Sequence, residues 1–346
     1  MLRSARASAP HRLVTMSRRR AFAGLMALSL AAGLAEGAEA ASVKWDVSLP
    51  WGPSEFHTVN AVRFAAEVKA ATNGELELTI HAGGSLGVKA NESLRAVADG
   101  AVPMAEYAAF QNVGELPILG IESIPFLVKD YDQLKAMHAL VRPIWEAELA
   151  KRNQKVLYIV PWPSQNFFLK KAASTPDDIK GVRMRTYDKV TAEMIAKIGM
   201  VPLQMNNPDI VPSLASGKLD AVMTSGTTAV AQKYWEFMKF AYNTNHLWAS
   251  NMMVVNLDSW KKLSPVQQST VEALGKKLEP EFWQVSMAEH DKKMKELAAA
   301  GMKVEKASDA LLASMRKATE TMADDFGKAN PAAAPIIAEF KKKIGS

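Results

Sequence analysis

One pattern occurs twice along this chain, and it constrains the fold more than any single residue does. Between Lys44 and Leu49, apolar Trp45, Val47 and Leu49 alternate with Asp46 and Ser48, the period of a half-buried strand. The loop Pro50-Trp51-Gly52-Pro53-Ser54 leads into a helix over about Phe56–Ala71, and Asn73-Gly74 supplies a left-handed stop. Leu76, Leu78 and Ile80 then alternate with Glu75, Glu77 and Thr79. After the Gly83-Gly84-Ser85-Leu86-Gly87 turn, a helix is expected over about Lys89–Ala98. The pattern returns with strands at Val156–Val160, Val182–Met184, Leu219–Met223 and Met252–Val255, and a helix from Lys189 to the Gly199 stop. Strand–helix alternation implies an α/β fold with largely parallel sheets. At ~100–200 residues per domain, 346 residues are too many for one core, so two α/β lobes of similar size are expected.

The last third reads as helical. Ser264-Pro265-Val266-Gln267 is a capping box with proline at the first helical position. Val271, Leu274, Leu278, Phe282 and Val285 continue the spacing past Pro280, where a kink or a break is expected. Ser308 caps a last helix with Leu311, Met315, Met322 and Phe326 on one stripe, and Lys341–Lys343 reads as a solvated tail.

Composition matters mainly for what it excludes. The formal charge is +6, but residues 1–40 hold six arginines against Glu36 and Glu39, so the remainder is close to neutral. That leaves no overall electrostatic footprint for nucleic acid. Residues 16–41 run from a basic cluster through the apolar Ala21–Ala35 to Ala38-Glu39-Ala40, the order of a cleavable secretory leader. Residues 1–40 are therefore read as a signal peptide and the periplasm as the place of work. Arg19-Arg20-Ala21-Phe22 is similar to a twin-arginine signal, with Arg18 where Ser or Thr is usual. With no cysteine, thiolate metal sites, iron–sulfur clusters and cysteine nucleophiles are absent, and an oxidising compartment poses no pairing problem.

The chemistry-bearing motifs are few. The six histidines lack the i, i+4 spacing of a metal helix, and no nucleophile elbow, Walker A or dinucleotide fingerprint occurs. No cofactor or metal is expected. The glycine turn at 83–87 lacks the Lys-Ser/Thr of a phosphate loop and reads as structural. Trp51 and Trp162 each follow an expected strand beside proline, in matching places of the two lobes. Core packing would suit either indole, but matched placement at strand carboxyl ends, where open α/β sheets bind ligands, favours a pocket wall. Arg183 and Arg185 share one strand face. Each could be a surface ion pair or a planar fork for a carboxylate.

Five segments in order then resemble the solute-binding proteins of tripartite ATP-independent periplasmic (TRAP) transporters, the DctP-like family. They are Gly74-Glu75-Leu76 through Gly84-Ser85-Leu86-Gly87, Ile124-Pro125-Phe126-Leu127-Val128-Lys129-Asp130, Thr175 through Arg185 (similar to the family's DLKGLKIR), Leu214 through Ala221, and Thr244-Asn245-His246. The resemblance covers about residues 42–340. It implies a two-lobed periplasmic binding protein fold with crossing strands near Val160–Pro163 and Trp248–Val254, and a long lobe-spanning helix from Pro265 to about Leu297. One lobe would hold 41–162 plus about 251–290, the other 163–250 plus about 291–346. It also implies a bound organic acid, membrane subunits of a TRAP transporter as partner, and Arg185 as carboxylate clamp. Where the family often carries an asparagine, Thr224 or Ser225 must supply hydroxyls; where sialic acid binders carry a second arginine, neutral Gln165 stands. Trp51, Tyr107, Trp162, Phe167, Tyr187 and Trp248 are expected to make the pocket aromatic, leaning towards a monocarboxylate. The other reading is a periplasmic α/β enzyme acting on a small organic acid through His57, Glu106 and His246.

The leader generates the first prediction. Intact mass spectrometry of exported protein should find a chain beginning at or near Ala41. Retention of the Ala21–Ala35 segment would instead mean a membrane anchor.

Overall fold

A computed structural model describes residues 42–345; the expected leader lies outside them. In chain order the first part contains β1 (Val43–Ser48), α1 (Phe56–Ala71), β2 (Leu76–His81), α2 (Ser93–Ala98), β3 (Met104–Ala108), α3 (Tyr131–Ala150) and β4 (Gln154–Pro161). The middle contains β5 (Asn166–Leu169), β6 (Arg183–Thr186), α4 (Lys189–Lys197), β7 (Val201–Gln204), α5 (Ile210–Ala215), β8 (Ala221–Thr224), α6 (Gly226–Ala231) and β9 (Phe240–Asn243). The chain closes with β10 (Ser250–Asn256), α7 (Leu257–Trp260), α8 (Pro265–Ala299), β11 (Lys303–Lys306), α9 (Asp309–Thr319), α10 (Met322–Ala329) and α11 (Ala334–Ile344).

The strands form two sheets, ordered β2-β1-β3-β10-β4 and β11-β9-β5-β8-β6-β7. Each is parallel except for one strand: β10 runs against β3 and β4, and β5 runs against β8 and β9. These are the strands by which the chain changes lobe. It leaves the first sheet at β4 and enters the second as β5, then leaves at β9 and returns as β10. Arriving from the cleft side, each crossing strand must run opposite to its neighbours. The two connectors are bonded to each other, Trp162 N–H to Ala249 O at 2.8 Å and Gln165 N–H to Leu247 O at 3.0 Å. Two lobes with crossing strands are thus the architecture, as the resemblance implied.

Helix α8 ties the lobes together. It packs on α1 and β4 of the first and on α6 and β11 of the second. Its start is as read: Ser264 Oγ accepts from Gln267 N–H at 3.2 Å and the Gln267 side chain accepts from Ser264 N–H at 2.9 Å. Of the kink or break expected at Pro280, the break does not occur: α8 runs unbroken for 35 residues. Pro280 and Lys276, whose carbonyl loses its intrahelical donor, both lie on the exposed face, where water can bond that carbonyl.

Three C-terminal expectations are corrected. The stripe after Ser308 is broken into α9 and α10. Lys341–Lys343 belong to α11, whose Ile336, Ile337 and Phe340 are buried. That helix packs against α3, so the end of the chain returns to the first lobe rather than staying with the second. Similarly, the helix expected over Lys89–Ala98 is a 3₁₀ turn at Ala90–Glu92 followed by the shorter α2. No helix among the described residues is long and apolar enough to cross a membrane.

Gly275 shows how closely α8 sits on the first sheet: a Cβ there would lie 2.6 Å from the Leu157 carbonyl oxygen. Glycine to alanine in a helix ordinarily stabilises by about 1 kcal/mol. Here Gly275→Ala should lower stability by about 1–3 kcal/mol, as overpacking against backbone does. Denaturant titration checks the sign, and a gain would show that α8 can ride off β4 without loss.

Candidate ligand-binding site

Between the sheets lies a small, partly open cavity. Its walls are strand ends. Trp51 follows β1, Phe110 and Gln111 follow β3, and Trp162 follows β4. From the second lobe come Arg185 and Tyr187 at the end of β6, Asn207 after β7, Thr224 and Ser225 at the end of β8, and Thr228 in the first turn of α6. Gln165 stands just before the reversed β5. Parallel strands aimed at the cleft thus deliver one or two side chains each, the general ligand position in open α/β sheets.

Arg185 dominates the electrostatics. It is only 4% exposed. Nε donates to Met205 O at 3.2 Å and one terminal nitrogen donates to Met223 O at 3.3 Å. The guanidinium also lies 5.2 Å from the centre of the Tyr187 ring. No Asp or Glu oxygen comes within 4.0 Å of it among the described residues. Burial pulls its pKa below the ordinary value, yet arginine stays protonated in proteins. Nearby Asp188 is committed to capping α4, its Oδ1 accepting from Thr191 N–H at 2.7 Å and Thr191 Oγ1 at 2.6 Å. Arg183, two residues earlier, is a half-exposed fork on Asp220, with bonds of 2.6 and 2.8 Å.

The wall opposite is aromatic. Trp51 meets Trp162 edge-on at 4.9 Å, and Phe110 lies 4.5 Å from Tyr187. The glycine turn acts as a brace: Gly83 N–H donates to Trp51 O at 2.6 Å and Gly84 N–H to Leu49 O at 2.8 Å. Both glycines sit at positive φ, +68° and +71°, so the turn is structural, as read. Three buried polar atoms of residues on the cavity wall have no partner among the described residues: Trp51 Nε1, Tyr187 OH and Gln111 Oε1. Ser225 Oγ is shared with Thr227 at 2.6 Å, and Gln165 Nε2 donates to Pro163 O at 3.0 Å.

Seven of the nine side chains singled out in the sequence surround this cavity: Trp51, Trp162, Gln165, Arg185, Tyr187, Thr224 and Ser225. Tyr107 and Trp248 do not. Tyr107 points to the other face of β3, where its hydroxyl donates to Gln154 Oε1 at 3.0 Å. Trp248 packs on Tyr131 at 4.6 Å and donates to Val128 O at 3.1 Å. Phe167, expected in the pocket, is buried inside β5 against His246. Phe110, Gln111, Asn207 and Thr228 escaped the sequence reading. A signal existed for the first two, which follow β3 as Trp51 follows β1, but β3 itself was not identified. The supposed acid–base residues do not converge on the cavity. His57 pairs with Glu106, its Nδ1 3.0 Å from Glu106 Oε1. His246 is bonded to Thr244 Oγ1 at 2.7 Å, and burial pushes its pKa down to about 3.

Two sheets bridged by crossing strands and one long helix, with a cavity between them, define a two-lobed periplasmic binding protein. The chain belongs to the bacterial extracellular solute-binding proteins of family 7, whose family model matches residues 48–329. Among solved structures it is similar to a marine metagenome TRAP solute-binding protein specific for pyroglutamate (32% identity, TM-score 0.83, covering 87% of this chain and 99% of that one). It is also similar to DctP7 of Bordetella pertussis, an extracytoplasmic solute receptor binding pyroglutamic acid (28% identity, TM-score 0.84, 87% and 100% covered). Among sequences, the C4-dicarboxylate-binding periplasmic protein DctP of Rhodobacter capsulatus is 27% identical over 251 residues, 70% of this chain and 73% of its own length. The TRAP resemblance read from the sequence is borne out.

One buried acid sits where the lobes meet. Glu55, at the start of α1, is 3% exposed. Burial raises its pKa from 4.5 to about 7, with Thr228 and Lys293 of the other lobe acting in the opposite direction. Between these values the folded protein keeps a proton that the unfolded chain releases, so Glu55 costs more stability as pH rises. Glu55→Gln should therefore stabilise the protein at pH 8 by up to about 3 kcal/mol, at ~1.4 kcal/mol per pKa unit, and by much less at pH 5. Paired denaturation curves at both pH values test this; an equal difference at both would mean that Glu55 is not protonated on folding.

Proposed function

We propose that this protein captures a compact monocarboxylate between its lobes in the periplasm and delivers it to the membrane subunits of a TRAP-type secondary transporter. The observation that carries this reading is the buried Arg185 guanidinium without a carboxylate partner. A charge so placed is costly unless paired, and a ligand carboxylate supplies the missing partner with planar, charge-assisted bonds. One cation argues for one carboxylate: the second charge of a dicarboxylate would be buried unpaired. The TRAP resemblance supports transport driven by an ion gradient, with closure of the lobes about the two connectors.

The unpartnered wall groups support a body that both donates and accepts hydrogen bonds. Gln111 Oε1 can accept an N–H, while Trp51 Nε1–H and Tyr187 OH can donate to a carbonyl. A five-membered lactam acid carries both groups, and the two pyroglutamate-binding neighbours make pyroglutamate the first ligand to test. The enzyme reading draws no support from the site, since His57, Glu106 and His246 lie outside the cavity lining.

Arg185 and Arg183 provide an internal comparison for calorimetric titration with pyroglutamate, on protein freed of bound ligand. Losing one partner of a buried, hydrogen-bonded charge pair costs ~2–5 kcal/mol. Arg185→Ala should therefore weaken binding by roughly 30-fold to several thousand-fold at ~1.4 kcal/mol per decade. Arg185→Lys should recover only part, because an ammonium lacks the planar fork. Arg183→Ala should change affinity by less than about threefold, as a screened surface pair would. If Arg183→Ala abolished binding while Arg185→Ala bound normally, the clamp would be assigned two residues out of register. If neither mattered, the clamp itself would be wrong.

A further inference from the structure

Behind the tryptophan wall lies a buried polar chain that the ligand reading leaves unused. Trp162 Nε1–H donates to Asn251 Oδ1 at 2.7 Å. Asn251 Nδ2 in turn donates to Glu106 Oε1 at 2.9 Å, and Tyr158 OH donates to Glu106 Oε2 at 3.0 Å. The His57 ring completes the enclosure, with Nδ1 3.0 Å from Glu106 Oε1 and its centre 4.2 Å from that of Trp162. All five side chains are buried. The sheet explains how they meet. Asn251 is paired with Ala108 on one side and Val160 on the other, so Asn251, Glu106, Tyr158 and Trp162 fall on one face of β3, β10 and β4.

A buried carboxyl under a wall of indoles needs every donor it has; an apolar side chain would fill the same space without that demand. What the polar chain adds is direction. The torsion of an indole about its ring axis is broad and roughly two-fold, so packing alone does not choose which edge faces the cavity. A buried indole N–H turns to its acceptor, and Asn251 offers one acceptor in one place, held by Glu106.

We propose that Asn251 and Glu106 are positioning residues for ligand capture. They hold Trp162 in the orientation that walls the cavity, so affinity depends on groups outside the ligand's reach. Ordering the wall before the ligand arrives removes a cost that binding would otherwise bear. This inference rests on the cavity being the ligand site.

A double-mutant cycle decides whether Asn251 acts through the indole. Pyroglutamate titrations would compare wild type, Asn251→Ala, Trp162→Phe and the double variant. Asn251→Ala should weaken binding about tenfold, but less than twofold in the Trp162→Phe background, where no N–H remains to direct. No loss in the first case, or an equal loss in both, overturns the proposal. A ligand-free readout separates this test from the identity of the ligand. The indole N–H resonance that Trp162→Phe removes should shift in Asn251→Ala and exchange faster with water; an unmoved resonance overturns the proposal even if pyroglutamate does not bind. Should Asn251→Ala fail to fold, Asn251→Asp keeps an acceptor for the indole but sets a second carboxyl against Glu106. At a single pH its Trp162 indole N–H resonance should shift from the wild-type position, because the acceptor has changed from an amide to a carboxyl oxygen. A resonance unmoved in Asn251→Asp would overturn the proposal.

Discussion

A positive charge placed where water is excluded is the constraint around which the cleft is organised. Sheet register fixes where that charge sits. Arg185 is paired with Leu203 of β7 and Val222 of β8, and its two protein acceptors, the carbonyls of Met205 and Met223, come from just past those partners. Two carbonyls and a ring face are partial compensation for a full charge. Arg183 shows what two residues along the same strand can change. At the amino end of β6 it reaches solvent and finds Asp220, and nothing about it demands a ligand.

The parts of this fold that were legible in the sequence are those with local causes. The helix over Phe56–Ala71 has the bounds that its apolar spacing and the Asn73-Gly74 stop imply, and the Ser264 capping box opens α8 as read. The strand end carrying Trp51 followed from period-two alternation, that carrying Trp162 from the short apolar run Val156–Val160, and that carrying Arg185 from Val182 and Met184. The misreadings have tertiary causes. Tyr107 and Trp248 have the right residue type at nearly the right place, but facing decides their role, and an aromatic count carries no facing. β3 was missed because Met104-Ala105-Glu106-Tyr107-Ala108 carries no β-branched residue and no apolar run to mark it; Phe110 and Gln111 were lost with it. The positive charge of Lys341–Lys343 hid the buried Ile336, Ile337 and Phe340 stripe just before it. Of the kink or break that Pro280 suggested, solvent exposure makes the break unnecessary.

The crossing strands supply the link between this architecture and selective capture. Because β5 and β10 each enter a sheet from the cleft side, every other strand can point its carboxyl end at the same small volume. The two lobes then contribute unlike things. The second brings the charge and the hydroxyls, from Arg185 to Thr228; the first brings shape, from Trp51 and Phe110, with Trp162 on the connector. A ligand that satisfies only one lobe has little reason to hold the other against it. Under the proposed reading, selectivity arises because closure requires a carboxylate for Arg185 and, on the same small molecule, a body that fits the aromatic wall.

The charge inventory of the cavity sharpens that requirement. Arg185 is the sole cationic side chain lining it among the described residues. A second carboxylate on the ligand would therefore find no cation to meet it. An unpaired charge in a low-dielectric site is held at high cost. Neutral donors and acceptors face no such penalty, and the unpartnered Trp51 Nε1, Tyr187 OH and Gln111 Oε1 are such groups. Under the proposed reading, the physics that makes Arg185 receptive to one negative charge leaves a second without a partner, and selectivity for a monocarboxylate follows from what the far wall omits.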